Sequence, residues 1–212
     1  MLPLPSGVTP VCYVVRHGRT ILNATNSFRG NANPPLDSVG EKQAEELAKL
    51  FSNIDISHIF CSDKQRSVKT ASTIAREKQT PIHKSEGLRA LNVGDFSGQK
   101  RTPETESSLQ KYLDNPDTMI PGGESLNDFK ARISPCLKEA IELFSKFGAP
   151  PLLVAHSSVV HETGAILYGD HKSILVEPGG AIAVYFDGSR LQAKPIFKPL
   201  KVAKGIQAST IT

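Results

Sequence analysis

Two apolar segments far apart in the chain each run directly into a histidine. No other feature limits the possible folds as much. "VCYVVRH" ends at His17, preceded by Arg16, and "PLLVAH" ends at His156. Val11, Val14 and Val15 are β-branched and Tyr13 is aromatic, so residues 11–16 read as a buried strand. Residues 150–156 read the same way. A polar residue closing an apolar strand has little structural reason to be there unless the strand tip reaches a crevice. In an open α/β sheet, ligand crevices lie outside the carboxyl ends of the strands.

The remaining sequence alternates strands with helices. Residues 21–37, rich in Asn, Gly and Pro, read as a loop. "DSVGEKQAEELAKLF" then has an N-cap at Asp37 or Ser38 and apolar spacing at Ala44, Leu47, Ala48 and Phe51, which predicts a helix. A strand over 56–62 leads to a helix over 63–78 capped by Ser62 or Asp63. A short strand is expected over 80–86, a glycine-punctuated loop over 87–99 and a helix over 102–115. A long helix over 122–148 carries Pro135, which is expected to kink or split it. A further helix follows His156, and two strands flank Asp187-Gly188, a hairpin signal. This alternation predicts an α/β three-layer sandwich with a largely parallel central sheet flanked by helices. With 212 residues, 39% apolar, and no repeat or linker, one domain spanning 1–212 is expected. It would carry a short N-terminal extension (1–10) and a basic C-terminal tail (about 198–212).

The net charge of +4 is concentrated at the end of the chain. No acid follows Asp187, whereas Arg190, Lys194, Lys198, Lys201 and Lys204 do, and the rest holds 20 basic against 21 acidic residues. Five dispersed cations without interleaved aromatics read as a solvated end, so neither nucleic acid nor membrane is expected as a partner. No apolar run approaches the roughly 18 residues of a membrane helix. "MLPLPSGVTP" lacks the basic and apolar regions of a signal peptide. Cys12, Cys61 and Cys136 are odd in number, widely spaced and without a C-x-x-C pair. A reducing cytoplasm is therefore the expected location, with no disulfide framework, metal or cofactor.

Arg16, His17, Arg66 (on the first turn of the helix after the 56–62 strand) and His156 can converge on one crevice. Arginine is always charged and presents forked donors matched to phosphate oxygens. A histidine among arginines is disfavoured in its protonated form, which leaves a neutral lone pair able to attack. That set suits phosphoryl transfer through a phosphohistidine.

The motifs that carry this set resemble those of the histidine phosphatase superfamily, in its phosphoglycerate-mutase-like branch with the RHG motif. "RHGRT" after the first strand resembles its signature. "PLDSVGEKQA", "SDKQRSVKTA", "PGGESLNDFKARI" and "LLVAHSSVV" are similar to further blocks, in family order, over residues 11–168. The resemblance implies a phosphoglycerate-mutase-like fold and a small phosphorylated substrate. It also implies His17 as nucleophile, with Arg16, Arg66 and His156 holding the phosphoryl oxygens. Asn23, Arg29, Gly30 and Ser157 fall where the family contacts substrate, and its mechanism needs no metal.

One position departs. The family block Leu-x-Glu-x-x-x-Gly, whose Glu is a general acid, reads here Leu88-Arg89-Ala90-Leu91-Asn92-Val93-Gly94, with Ala90 in place of the carboxylate. Three readings compete. Asp95, or else Glu86 or Glu124, donates the proton; or the leaving group needs little help, as in an aryl phosphate, phosphoanhydride or phosphoramidate; or the protein is a weakly active phosphate-binding or regulatory protein. Ser157-Ser158, where Gly-Gly is common, narrows the pocket floor. A mutase must hold a second anionic group, and between residues 100 and 121 only Lys100 and Arg101 are candidates, so hydrolysis is preferred. His58, His83, His161 and His171 lack ligand spacing. Cys61 reads as buried, and Gly179-Gly180 as a turn before a strand.

Overall fold

The computed structural model describes residues 4–76, 78–169 and 174–199. His171 lies outside them, as does the expected basic tail beyond its first two residues. Six strands form one mixed sheet in the order β3-β2-β4-β1-β5-β6. They are β1 (Pro10–Arg16), β2 (Ile59–Ser62), β3 (Ile82–Ser85), β4 (Leu152–Ala155), β5 (Ala181–Phe186) and β6 (Leu191–Phe197). The first four strands in chain order are parallel, and β5 and β6 add an antiparallel hairpin at one edge.

Successive β1 residues serve opposite layers because strand side chains alternate. Tyr13 and Val15 pack with Leu47 and Phe51 of α2 (Ser38–Phe51) and Ile74 of α3 (Gln65–Ala75). Cys12 and Val14 pack on the other face. Their neighbours there are Phe129, Ile133 and Leu137 of α5 (Leu126–Phe147) and Val159 and Val160 of α6 (Ser157–Tyr168). The two remaining helices, α1 (Ile21–Ala24) and α4 (Pro103–Leu113), sit in the connections.

Four local expectations are corrected. Residues 21–24 are helical rather than loop, because Thr20 and Asn23 cap one another: Asn23 Oδ1 accepts from Thr20 N at 3.0 Å. Neither Ser62 nor Asp63 is the N-cap of α3. Lys64 holds that position, and Asp63 is engaged by Arg89. The 87–99 stretch is not wholly loop: one 3-10 turn, over Glu86–Leu88, overlaps its start, and another lies over Gly94–Phe96. Pro135 does not split α5, which runs for 22 residues across it and ends at Gly148 in a left-handed cap. Its apolar face (Phe129, Ile133, Leu137, Ala140) is buried against the sheet. That packing outweighs a missing N–H and ring clash of about 3 kcal/mol or more.

Candidate active site

Sheet register sets the centre of the site. β1 and β4 are adjacent and parallel, with Arg16 opposite Ala155, and His17 N donates to Ala155 O at 3.0 Å. The residues that follow, His17 and His156, therefore leave the sheet side by side, with ring centroids 5.1 Å apart. β2 pairs with the other edge of β4, and its successor helix α3 carries Arg66 in its first turn. The sheet thus gathers four side chains that the sequence separates by up to 140 positions.

Two backbone devices hold this corner in place. Gly179 N donates to both Arg16 O (3.1 Å) and His17 O (3.0 Å), and Arg16 N donates to Gly180 O (2.9 Å), so the turn before β5 latches onto the strand tip. Gly18 packs backbone-to-backbone on Gly40 at the start of α2, where an added Cβ would collide with the Gly40 carbonyl. Gly30 has φ +44°, and a Cβ there would collide with Ser97 and Val93. Both close approaches require glycine.

Hydrogen bonds assign the His17 tautomer. Nδ1 lies 2.7 Å from Gly18 O, which can only accept, so Nδ1 carries the proton. Nε2 is then the lone-pair nitrogen, and it accepts from Arg66 Nε at 3.1 Å. Burial, followed by His156, Arg66 and Arg16, holds the His17 imidazolium well below its usual range. His156 is lowered likewise by burial and then by Arg66, Arg29 and Arg16. Both rings are neutral at physiological pH. Burial and the neighbouring Arg29 push Arg16 down to about 9 and Arg66 down to about 10, so both remain charged at pH 7.

Several of these buried groups have no hydrogen-bond partner among the described residues. They are Arg16 Nε, Arg66 Nη2 and both His156 nitrogens. Buried polar atoms are ordinarily paired. A cluster of orphan donors with unmatched positive charge at the start of α6, where helix N–H groups add further positive potential, fits an anion.

The site opens into two cavities that share Arg29, Arg101, Glu106, Ser157 and Leu175. One, of about 460 Å³, also meets Arg16, Arg19, Asn23 and Glu177. The other, of about 750 Å³, meets Gly30, Ala90, His156 and an apolar wall. Arg29, Gly30, Asn23 and Ser157 are therefore all at the cavities. Asn23 Oδ1 is taken by Thr20, and Arg29 Nη2 reaches Ser157 Oγ only at 3.5 Å. Ser158 Oγ accepts from Leu91 N at 3.0 Å, so it pins the 90–93 segment.

Asp95 is exposed, lies against Gly122 and lines neither cavity. The structure thus turns this candidate proton donor away from the site. Glu86 pairs with Arg89 at 2.9 Å and is exposed. Glu124 accepts from Arg132 Nη2 (2.7 Å) and Asn92 N (2.8 Å). Arg132 also donates to the carbonyls of Glu86, Gly87, Arg89 and Ala90, which makes it the clamp of the Ala90 segment.

Sequence reasoning did not find Arg19, Glu106, Glu177 or the Arg132 clamp, and it weighed Arg101 only as a holder of a second anionic group. Arg101 arrives because backbone around 26–28 pairs with 98–101: Phe28 N donates to Gln99 O at 2.9 Å and Arg101 N to Asn26 O at 2.8 Å. Its guanidinium then lies 4.3 Å over the Phe28 ring. No periodicity signals such a contact. Burial pushes Cys12 up to about 12 and Cys61 up to about 11, so both thiols are inert at neutral pH. Among the described residues there is no metal-ligating cluster of three or more His, Cys, Asp and Glu. No described helix is long and apolar enough to cross a membrane.

Comparison with known proteins gives the family and the fold. The family model of the histidine phosphatase superfamily (branch 1) matches residues 12–172. A Salmonella choleraesuis protein named "probable phosphoglycerate mutase" is 34% identical over 148 residues, 68% of each chain. A mycobacterial glucosyl-3-phosphoglycerate phosphatase shares the fold with a TM-score of 0.72 and 21% identity, over 88% of this chain and 97% of that one. The alpha-ribazole phosphatase of Shigella flexneri matches with a TM-score of 0.69 and 20% identity, over 94% and 99%.

Proposed function

The chain belongs to the histidine phosphatase superfamily, and on that premise we propose that it is a phosphoric monoester hydrolase working through phosphorylated His17. The observation that carries this reading is the neutral His17, whose Nε2 lone pair faces Arg66 beside orphan donors on Arg16, Arg66 and His156. A phosphoryl group arriving there takes over Arg66's hydrogen bond. Nε2 attacks phosphorus, the P–N bond forms, and the P–O bond breaks with its electron pair leaving on the oxygen. Water then attacks the phosphohistidine, and the P–N electrons return to Nε2 with release of inorganic phosphate. Arg16, Arg66 and His156 hold the equatorial oxygens throughout, which stabilises transition-state charge.

Hydrolysis is favoured over phosphoryl transfer between two positions of a bisphosphate by the count of unmatched charges. Arg19 is paired with Asp37 (2.8 Å) and Arg101 with Glu106 (3.3 Å). Arg16, Arg29 and Arg66 have no ion-pair partner among the described residues. Three cations match one phosphoryl group rather than two. The test is hydrolysis of para-nitrophenyl phosphate by the wild type and by His17→Asn. Turnover without a bisphosphate primer that falls at least about 1000-fold in the variant is expected. Retained turnover in His17→Asn, or a strict need for primer, overturns the proposal.

A further inference from the structure

We infer that the substrate is a phosphate ester of an aromatic alcohol, whose ring lodges in the apolar cavity beside Ala90. This rests on the phosphatase reading above and adds the class of leaving group. Two independent observations converge on it.

The first is the state of the carboxylates. An alkoxide leaves poorly without a proton, and a positioned acid is worth about 10²–10⁴-fold. Ala90 lines the cavity, and the carboxylates that line it too, Glu106, Asp114 and Glu162, are each held by other side chains, while Glu177 lines only the adjoining cavity beside Arg16. Glu124 lies within the Arg132 clamp, and Glu106 pairs with Arg101. Glu162 pairs with Lys130 at 3.2 Å and His161 at 2.9 Å, and these contacts hold its carboxyl below the usual range although burial opposes them. Asp114 is bound by Gln110 at 2.8 Å on an exposed helix end. A phenolate, about six pKa units less basic than an alkoxide (phenol near 10, bulk water near 15.7), leaves without that help.

The second is the cavity itself. At about 750 Å³ it far exceeds a phosphoryl group and falls within the range of small-molecule sites. Its wall includes Phe28, Leu91, Val93, Leu109, Leu113 and Phe129, and His156, Ser157 and Arg29 join it to the phosphate-binding corner. Polar groups such as Gln110, Asp114, His161 and Glu162 line the rest of the cavity, but against the apolar part of the wall the hydroxyls of a sugar or glycerol leaving group would be unpaired, each costly to bury. An aromatic ring gains there by burial. The phenolate oxygen departs with the P–O electron pair and takes its proton from solvent. The ring keeps its apolar contacts throughout.

The test compares kcat/KM for 1-naphthyl phosphate and n-propyl phosphate, with alkaline-quench trapping of labelled phosphate on His17. The naphthyl ester is expected to be at least about 100-fold better. Leu113→Lys puts a charge into the cavity wall, so it should raise KM for naphthyl phosphate at least tenfold while leaving inhibition by inorganic phosphate within twofold. Ala90→Glu supplies the missing proton donor at the cost of a charge in the ring's cavity, so it should raise propyl phosphate hydrolysis at least tenfold and shrink the naphthyl-to-propyl ratio. Esters of equal efficiency, both trapped on His17, overturn the aromatic substrate and leave the phosphatase reading standing. An equal effect of Leu113→Lys on phosphate inhibition also overturns the cavity assignment. No label on His17 from either ester overturns both.

Discussion

Two imidazoles buried as neutral rings among arginines make stability depend on pH in a direction the structure dictates. In the unfolded chain each titrates near 6.5, whereas the fold holds both well below that. Below pH 6.5 the unfolded state therefore binds protons that the native state refuses. This contribution is fully present above 6.5 and is lost as pH falls. Each ring costs up to about 1.4 kcal/mol per pH unit, so the pair together costs about 3 kcal/mol between pH 6.5 and pH 5.0. The measurement is urea unfolding at several pH values in that interval, comparing the wild type with His17→Asn/His156→Asn. The wild type should lose about 3 kcal/mol more than the double variant, since surface histidines and carboxylates contribute equally to both. Saturating vanadate or phosphate should reduce the loss, because a bound anion gives a protonated ring a partner. Parallel pH profiles for wild type and double variant would refute the claim that both rings are held neutral.

Arg132→Ala removes the donor shared by four loop carbonyls and leaves Glu124 without its cation. It should cost about 2–4 kcal/mol by denaturant melt, with Arg132→Lys recovering only part. A cost under about 0.5 kcal/mol would show that the Ala90 segment is held otherwise. Gly18→Ala forces its new methyl into the Gly40 carbonyl. It should destabilise by about 2 kcal/mol or more and lower affinity for inorganic phosphate, measured by calorimetry; an unchanged melt and affinity would contradict the described close packing.

Much of the site was legible because it lies on regular elements. Parallel strands that end in His17 and His156 can deliver both rings to one side only if they are neighbours, and the β1–β4 register meets that condition. Arg66 followed from a strand-to-helix turn with a fixed offset. What escaped sequence reading depends on contacts between irregular segments. Asp95 read as a near acid, but the 3-10 turn over Gly94–Phe96 aims it at Gly122. Asp63 read as a cap, but Arg89, 26 positions away, engages it. Arg101 read as a candidate for a second anionic group, but its route to the cavity, backbone pairing with the 26–28 stretch, is a non-local event that leaves no pattern in composition or spacing. The same holds for the sheet edge: the Asp187-Gly188 signal found the hairpin, while its antiparallel placement beside β1 depends on tertiary pairing.

The most direct test of the central claim is chemical. Labelled aryl phosphate mixed with enzyme, quenched in alkaline detergent within milliseconds and digested for mass spectrometry, should place phosphate on Nε2 of His17 with a burst approaching one per chain. A burst absent from His17 while hydrolysis proceeds, or label on any other side chain, would contradict it.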